Sequence, residues 1–174
     1  MKKVFPRLIQ CTLVALTVAL CLVLAVPGLA SAQSPGEYYT FSFDAQFSKN
    51  QVTESESFTA TITAGAACIQ NFPVSATEAS ITSRIVAENQ ANGARVTLNS
   101  GYTLTIDDFP SSAGENTSVE IIVPLQFPAG SVSGTYNVIA ELVEAKVKAI
   151  IWIPVTSYLA SEQTAGTITY TAGG

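Results

Sequence analysis

The residues able to do chemistry in this sequence are few. Asp107, Asp108, Glu115 and Glu120 flank a Pro/Gly-containing loop, DDFPSSAGEN. Paired carboxylates can hydrolyse glycosides, and carboxylate and carbonyl oxygens can hold calcium. Asp107 and Asp108 are the metal candidates, but they lack the D-x-D-x-D spacing of a calcium loop. The structural alternative is a solvated polar turn, and Glu54 and Glu56 in KNQVTESE read the same way. Aromatics offer a second chemistry. Trp152 and Tyr38 are candidate ligand contacts, Tyr158 is a weaker one, and Tyr102 falls on the apolar parity of its strand and reads as core. The alternative for Trp152 is a side chain that covers the end of the core.

Most other site chemistries are excluded by composition. The chain has no histidine, which removes Ser-His-Asp and Cys-His arrangements, HExxH zinc sites and blue-copper sites. No Gly-rich phosphate loop precedes a helix. No cofactor is expected, and the expectation is that the protein is not an enzyme.

The elements that must position these residues begin after a removable leader. MKKVFPR is followed by an apolar run from Leu8 to Val26, then Pro27-Gly28 and Ala30-Ser31-Ala32. Charged, apolar and A-x-A regions in that order predict a signal-peptide helix over 1–32, cleaved before Gln33. An uncleaved N-terminal anchor is the alternative, because the run is long enough to span a bilayer. Residues 33–36 are then a short tail and 37–174 a single domain. A secreted, cell-surface or otherwise extracytoplasmic location follows.

Three of the eight Lys/Arg leave with the leader, while all thirteen Asp/Glu stay. That acidic balance excludes nucleic acid as a partner, which requires clustered cations. Membrane contact is expected only if the leader is retained. The expected partner is a protein or an envelope component. Cys11 and Cys21 belong to the leader, leaving Cys68 in GAACIQNF without an intramolecular partner. It reads as a small buried hydrophobe, or else as one half of an intermolecular disulfide.

Apolar residues alternate with period two almost throughout 37–171, the signature of half-buried strands. Tyr39, Phe41, Phe43, Ala45 and Phe47 share one face. So do Phe58, Ala60 and Ile62; then Ile81, Ser83, Ile85 and Ala87; then Val119, Ile121, Val123, Leu125 and Phe127. Residues 65–77 read as irregular. Asn92-Gly93 predicts a type I′ hairpin, and Pro124 predicts an edge or a bulge. Ala94, Val96 and Leu98 point inward, as do Tyr102, Leu104 and Ile106. Residues 139–153 are open between strand and helix. As a strand, the apolar parity switches near Val143-Glu144, which predicts a bulge. As a helix, Ile139, Leu142, Val143, Val147, Ile150 and Ile151 form a stripe. Ile168 and Tyr170 close the series. About eight strands predict an all-β antiparallel sandwich.

The stretch SVSGTYNV, residues 131–138, carries a family resemblance. It resembles the start of the penultimate strand in immunoglobulin-like and fibronectin-type-III-like modules of bacterial secreted or surface proteins. There a glycine or small residue precedes a tyrosine, and true immunoglobulins place a cysteine two residues later. Here Gly134 precedes Tyr136, and Val138 takes the cysteine's place. The resemblance implies an immunoglobulin-like antiparallel β-sandwich of about 7–9 strands, with Gly134, Tyr136 and Val138 specifying the fold. It further implies that the Tyr136 hydroxyl is tied to nearby backbone and that Val138 packs on Phe58, Ala60 or Ile62. The inter-sheet disulfide is absent, and Trp152 lies after the tyrosine strand, not on the third strand. The expected function is a non-enzymatic structural or adhesion-like interaction module, with a carbohydrate- or calcium-binding accessory module as the alternative.

Overall fold

The computed structural model describes residues 37–72 and 75–173, and the leader and tail of the sequence reading lie outside them. The described chain is all-β. Its strands are β1 (Tyr39–Phe47), β2 (Gln51–Thr53), β3 (Ser57–Cys68), β4 (Glu78–Asn89), β5 (Arg95–Asp107), β6 (Asn116–Gln126), β7 (Gly134–Lys148), β8 (Trp152–Pro154) and β9 (Glu162–Thr171). A three-stranded sheet runs β1-β3-β6, and a second runs β2-β9-β7-β4-β5 with β8 added to β7.

The two sheets share one core, consistent with a β-sandwich. Phe58, Ala60 and Ile62 come from the first sheet, and Ile85, Val138 and Ile168 from the second. Alternation puts these side chains inward and leaves Thr59, Thr61 and Thr63 on the wetter face. Truncating a residue buried as completely as Ile62 to Ala costs about 2–5 kcal/mol. A smaller cluster at one end gathers Tyr39, Cys68, Ala79, Ile106 and Phe109. Cys68 is buried there, and its thiol faces the Gln70 carbonyl at 3.0 Å.

Residues 139–148 are strand, not helix. β7 and β4 shift register between Thr82 and Ser83, opposite Glu144 and Leu142, so the extra residue is Val143. This is where the apolar parity turns over, and Ala145 is buried beyond it. Pro124 lies on β6, which among the described residues pairs only with β3, so its missing N–H faces an edge.

Four local expectations are corrected. The sheets are not all antiparallel: β2, read from sequence as polar turn, pairs in parallel with β9, Val52 opposite Tyr170. Val52 is buried, which repays the short strand for crossing from one sheet to the other. The strand at Phe58 does not stop near Gly65 but runs to Cys68. Gly65 sits centrally between β1 and β6, where a Cβ would lie 2.7 Å from Ser42 Oγ and 3.1 Å from the Thr117 carbonyl. Its glycine serves close approach of neighbouring strands.

The β4–β5 hairpin is present, but its turn is not type I′. Asn89 N–H bonds Ala94 O and closes a four-residue loop in which Gly93, at φ 72°, is the left-handed residue. Asn92 instead accepts from Ala94 N–H through its side chain. Finally, apolar residues 145–153 do not form one run: the chain reverses at 149–151 and β8 returns along β7, with Trp152 opposite Lys148.

Candidate functional site

Protein interiors pack densely, with few voids larger than a water molecule. Between the two sheets, however, lies an open cleft of about 170 Å³. Its origin is visible in the side-chain sizes. On the first sheet Ala64 and Gly65 face it, paired with Phe43 and Ser42 of β1. On the second sheet Ala140 faces it from β7. Small residues on both walls leave a volume that the larger neighbours do not fill. Ile81, Leu104 and Leu142 complete the apolar lining, and Leu159, Ala160 and Gln163 border it from the segment entering β9. Phe41 also lines this cleft, which accounts for its 47% exposure on an otherwise inward-facing parity.

The polar groups are sparse and placed by backbone irregularity. Ser83 is 6% exposed and lines the cleft. It stands where β4 changes register against both neighbours: against β7 between Thr82 and Ser83, and against β5 between Ser83 and Ile85. Bulges re-aim side chains in this way and recur beside functional sites. Tyr102 lies directly across from Ser83 on β5, and Leu142 lies across from it on β7. Burial raises the Tyr102 phenol above its ordinary pKa, and the neighbouring Ser83 side chain offsets part of the rise. The phenol is therefore protonated at neutral pH. Ser83 and Tyr102 thus bring two neutral hydroxyl-bearing side chains to a mostly apolar wall, an arrangement suited to orienting an uncharged ligand.

The sequence-predicted site residues lie elsewhere. Asp107 ends β5 and Asp108 follows it in an exposed loop at φ 55°. Among the described residues, no three His, Cys, Asp or Glu side chains are grouped as a metal ion would need. Glu115 turns back on its own loop and accepts from the Ser111 and Ser112 amides at 2.9 and 2.8 Å. Those bonds hold its carboxyl below the usual range. Glu120 is on the exposed parity of β6. Glu54 accepts from Gly173 N–H, and Glu56 accepts from Thr53 N–H and pairs with Lys49. Glu56 and Glu115 thus stabilise their own turns, and Glu54 ties down the segment after β9.

Trp152 is 39% exposed on β8, with the Lys146 and Lys148 ammonium groups 5.4 and 5.6 Å from its ring centroid. Tyr38 precedes β1 of the other sheet and packs edge-on to Phe72 at 5.1 Å. The two do not form one platform. Gly134 backs onto Asn89, whose Nδ2 would lie 2.9 Å from an added Cβ. Tyr136 donates to the Val132 carbonyl at 2.6 Å, and Val138 is fully buried in the shared core. None of these three lines the cleft.

Ser83 and Tyr102 fall on inward parities in the sequence, where they read as strand and core. A serine and a tyrosine on apolar parity were the available signal.

No family model matches the chain, and no curated protein matches it. Among solved structures the chain is similar to one described as "AvmM Catalyzes Macrocyclization in Alchivemycin A Biosynthesis". The two are 10% identical over 79% of this chain and 90% of that chain, with a TM-score of 0.31. That neighbour is a catalyst. It runs against the expectation of a non-enzymatic structural or adhesion-like module, with its accessory-module alternative, and against the expectation that the protein is not an enzyme; both are withdrawn. At this TM-score the likeness carries no argument for any particular fold or chemistry of this chain.

Proposed function

We propose that this is an exported protein that takes a small, largely apolar, uncharged molecule into the cleft between its sheets. The observation that carries the reading is the cleft itself: about 170 Å³, walled by aliphatic and aromatic side chains, with the Ser83 and Tyr102 hydroxyls as its polar handle. An apolar cavity of about 150 Å³ is enough to accept benzene. The ligand, or the part of it that enters, is therefore of single-ring size and bears one oxygen able to meet a hydroxyl. Export is supported by the order of charged, apolar and A-x-A segments in residues 1–32.

The framework is read as an immunoglobulin-like sandwich formed by one domain from residue 37. β1, β3 and β6 follow one another as A, B and E do, and β9, β7, β4 and β5 follow one another as G, F, C and C′ do. Tyr136, near the start of β7, bonds backbone four residues upstream, as a tyrosine corner does. In this frame the cleft is an underfilled section of the inter-sheet core.

Thermal unfolding in the presence of benzene, phenol and indole tests the proposal, because a molecule that binds only the native state must raise the melting temperature. Ala140→Leu, which fills the cleft from β7, should abolish the rise. Absence of any rise in the wild-type protein would remove the cleft as a binding site.

A further inference from the structure

The turn joining β7 to β8 has a composition that neither turn geometry nor the core explains. Lys148 pairs with Trp152 and Val147 with Ile153, and Ala149 N–H bonds Ile151 O across the tip. Turns favour Gly, Asn, Asp and Pro, each for a conformational reason. This one is Ala149-Ile150-Ile151, followed by Trp152 and Ile153. Ile150 is 94% exposed and Ile151 70%, and Trp152 and Ile153 are also open to solvent.

The charges around this tip are balanced. Lys146 pairs with Glu144 and Lys148 with Glu78, each at 3.1 Å. Both ammonium groups stand beside the Trp152 ring. A protruding aliphatic point thus rises from a band containing an indole, two cations and two anions. Zwitterionic lipid headgroups carry the same mixture of signs above a hydrocarbon layer. Indole rings settle at that boundary, and lysine stems reach along it to place their charge in the polar zone. A second copy of the chain fits less well. Four side chains on a convex point fall far short of the roughly 800 Å² per partner of a standard protein interface.

We propose that the β7–β8 tip is a shallow anchor for a zwitterionic lipid surface, entered by Ile150 and Ile151 with Trp152 at headgroup depth. It does not cross the bilayer, and among the described residues no helix is long and apolar enough to do so. The anchor is independent of the N-terminal segment and of the cleft.

Trp152 is the chain's only tryptophan, so its fluorescence reports on the tip alone, even in the full chain. The experiment titrates the protein with phosphatidylcholine vesicles, with and without bromine on the acyl chains. The expected result is a blue-shifted emission, quenching by the brominated lipid, and little change between low and high salt. In the Ile150→Ser/Ile151→Ser double variant, partitioning should fall roughly tenfold or more, from the apolar area removed. Both residues are exposed, so the melting temperature should not change. Three results would each overturn the proposal. One is unquenched emission from the wild type. Another is quenching only with phosphatidylglycerol that salt abolishes. The third is sedimentation equilibrium showing a tip-dependent dimer without quenching.

Discussion

Tyr136 and Tyr170 meet edge to face, ring centroids 6.5 Å apart, yet among the described residues only one of their hydroxyls has an acceptor. Tyr136 donates to the Val132 carbonyl, while the buried Tyr170 hydroxyl has no partner among the described residues. Phe127 contacts both rings, at 5.0 Å from Tyr136 and 4.4 Å from Tyr170. The rings are therefore held alike by packing and differ in their polar atom.

Opposite outcomes follow for the same substitution at the two positions. Tyr136→Phe loses a bond and should cost about 1 kcal/mol in urea unfolding. Tyr170→Phe removes an unsatisfied buried hydroxyl and should leave the melting temperature unchanged or raised. Neither variant should alter ligand uptake, since neither ring lines the cleft. A loss of stability in Tyr170→Phe equal to that in Tyr136→Phe would mean that its hydroxyl has a partner in solution.

Acid sensitivity should come from exposed carboxylates. The Ser111 and Ser112 amides hold Glu115 below its ordinary range, Lys49 does so for Glu56, and Arg95 for Glu162. A depressed folded-state pKa means that the unfolded chain binds the proton more readily. The stabilisation is then present above the unfolded value and is lost as pH falls through the folded one. The melting temperature should be flat between about pH 5 and 8, where no histidine titrates. It should fall below about pH 4.3, the ordinary glutamate value. Glu115→Gln should melt lower than wild type at neutral pH, with the gap closing on acidification. A gap that stays constant down to pH 2 would separate Glu115 from this effect.

Gly166 marks where the β9 edge meets β1. It has φ 148°, sits at the β7–β9 register shift, and would place a Cβ 2.8 Å from the Phe47 ring. Gly166→Ala should destabilise by more than about 1 kcal/mol, since alanine disfavours positive φ. Pairing it with Phe47→Leu should recover the part due to contact and leave the backbone part. Denaturant midpoints of the two single variants and the double variant separate these contributions. Strict additivity would show that the ring plays no role.

The strands were legible because their signal is local. Period two in residues 39–47, 58–62 and 119–127 states which side chains point inward, and the parity switch near Val143 gave the bulge. Relations set by distant partners were not legible. Val52 looks like part of a polar turn until β9 lies beside it, and Gly65 looks like a break until β1 and β6 close on it. The cleft is harder still. It exists because Ala64 and Gly65 on one sheet come to face Ala140 on the other, and no local pattern states which positions will oppose each other. The acidic residues show the converse: Glu54, Glu56 and Glu115 resembled a site by type, and each instead bonds nearby backbone.

The most direct measurement is calorimetric and thermal titration of phenol and benzene into wild type, Ala140→Leu and Tyr102→Phe. For a ligand of six or seven heavy atoms, wild-type dissociation constants on the order of 0.1–1 mM are expected. Stabilisation should reach about 1.4 kcal/mol at tenfold excess over that constant. Phenol should bind more tightly than benzene through the Ser83–Tyr102 pair, Tyr102→Phe should narrow that preference, and Ala140→Leu should stay folded and bind neither. A wild-type protein indifferent to both molecules, or an Ala140→Leu variant that binds them equally well, would contradict a ligand site between the sheets.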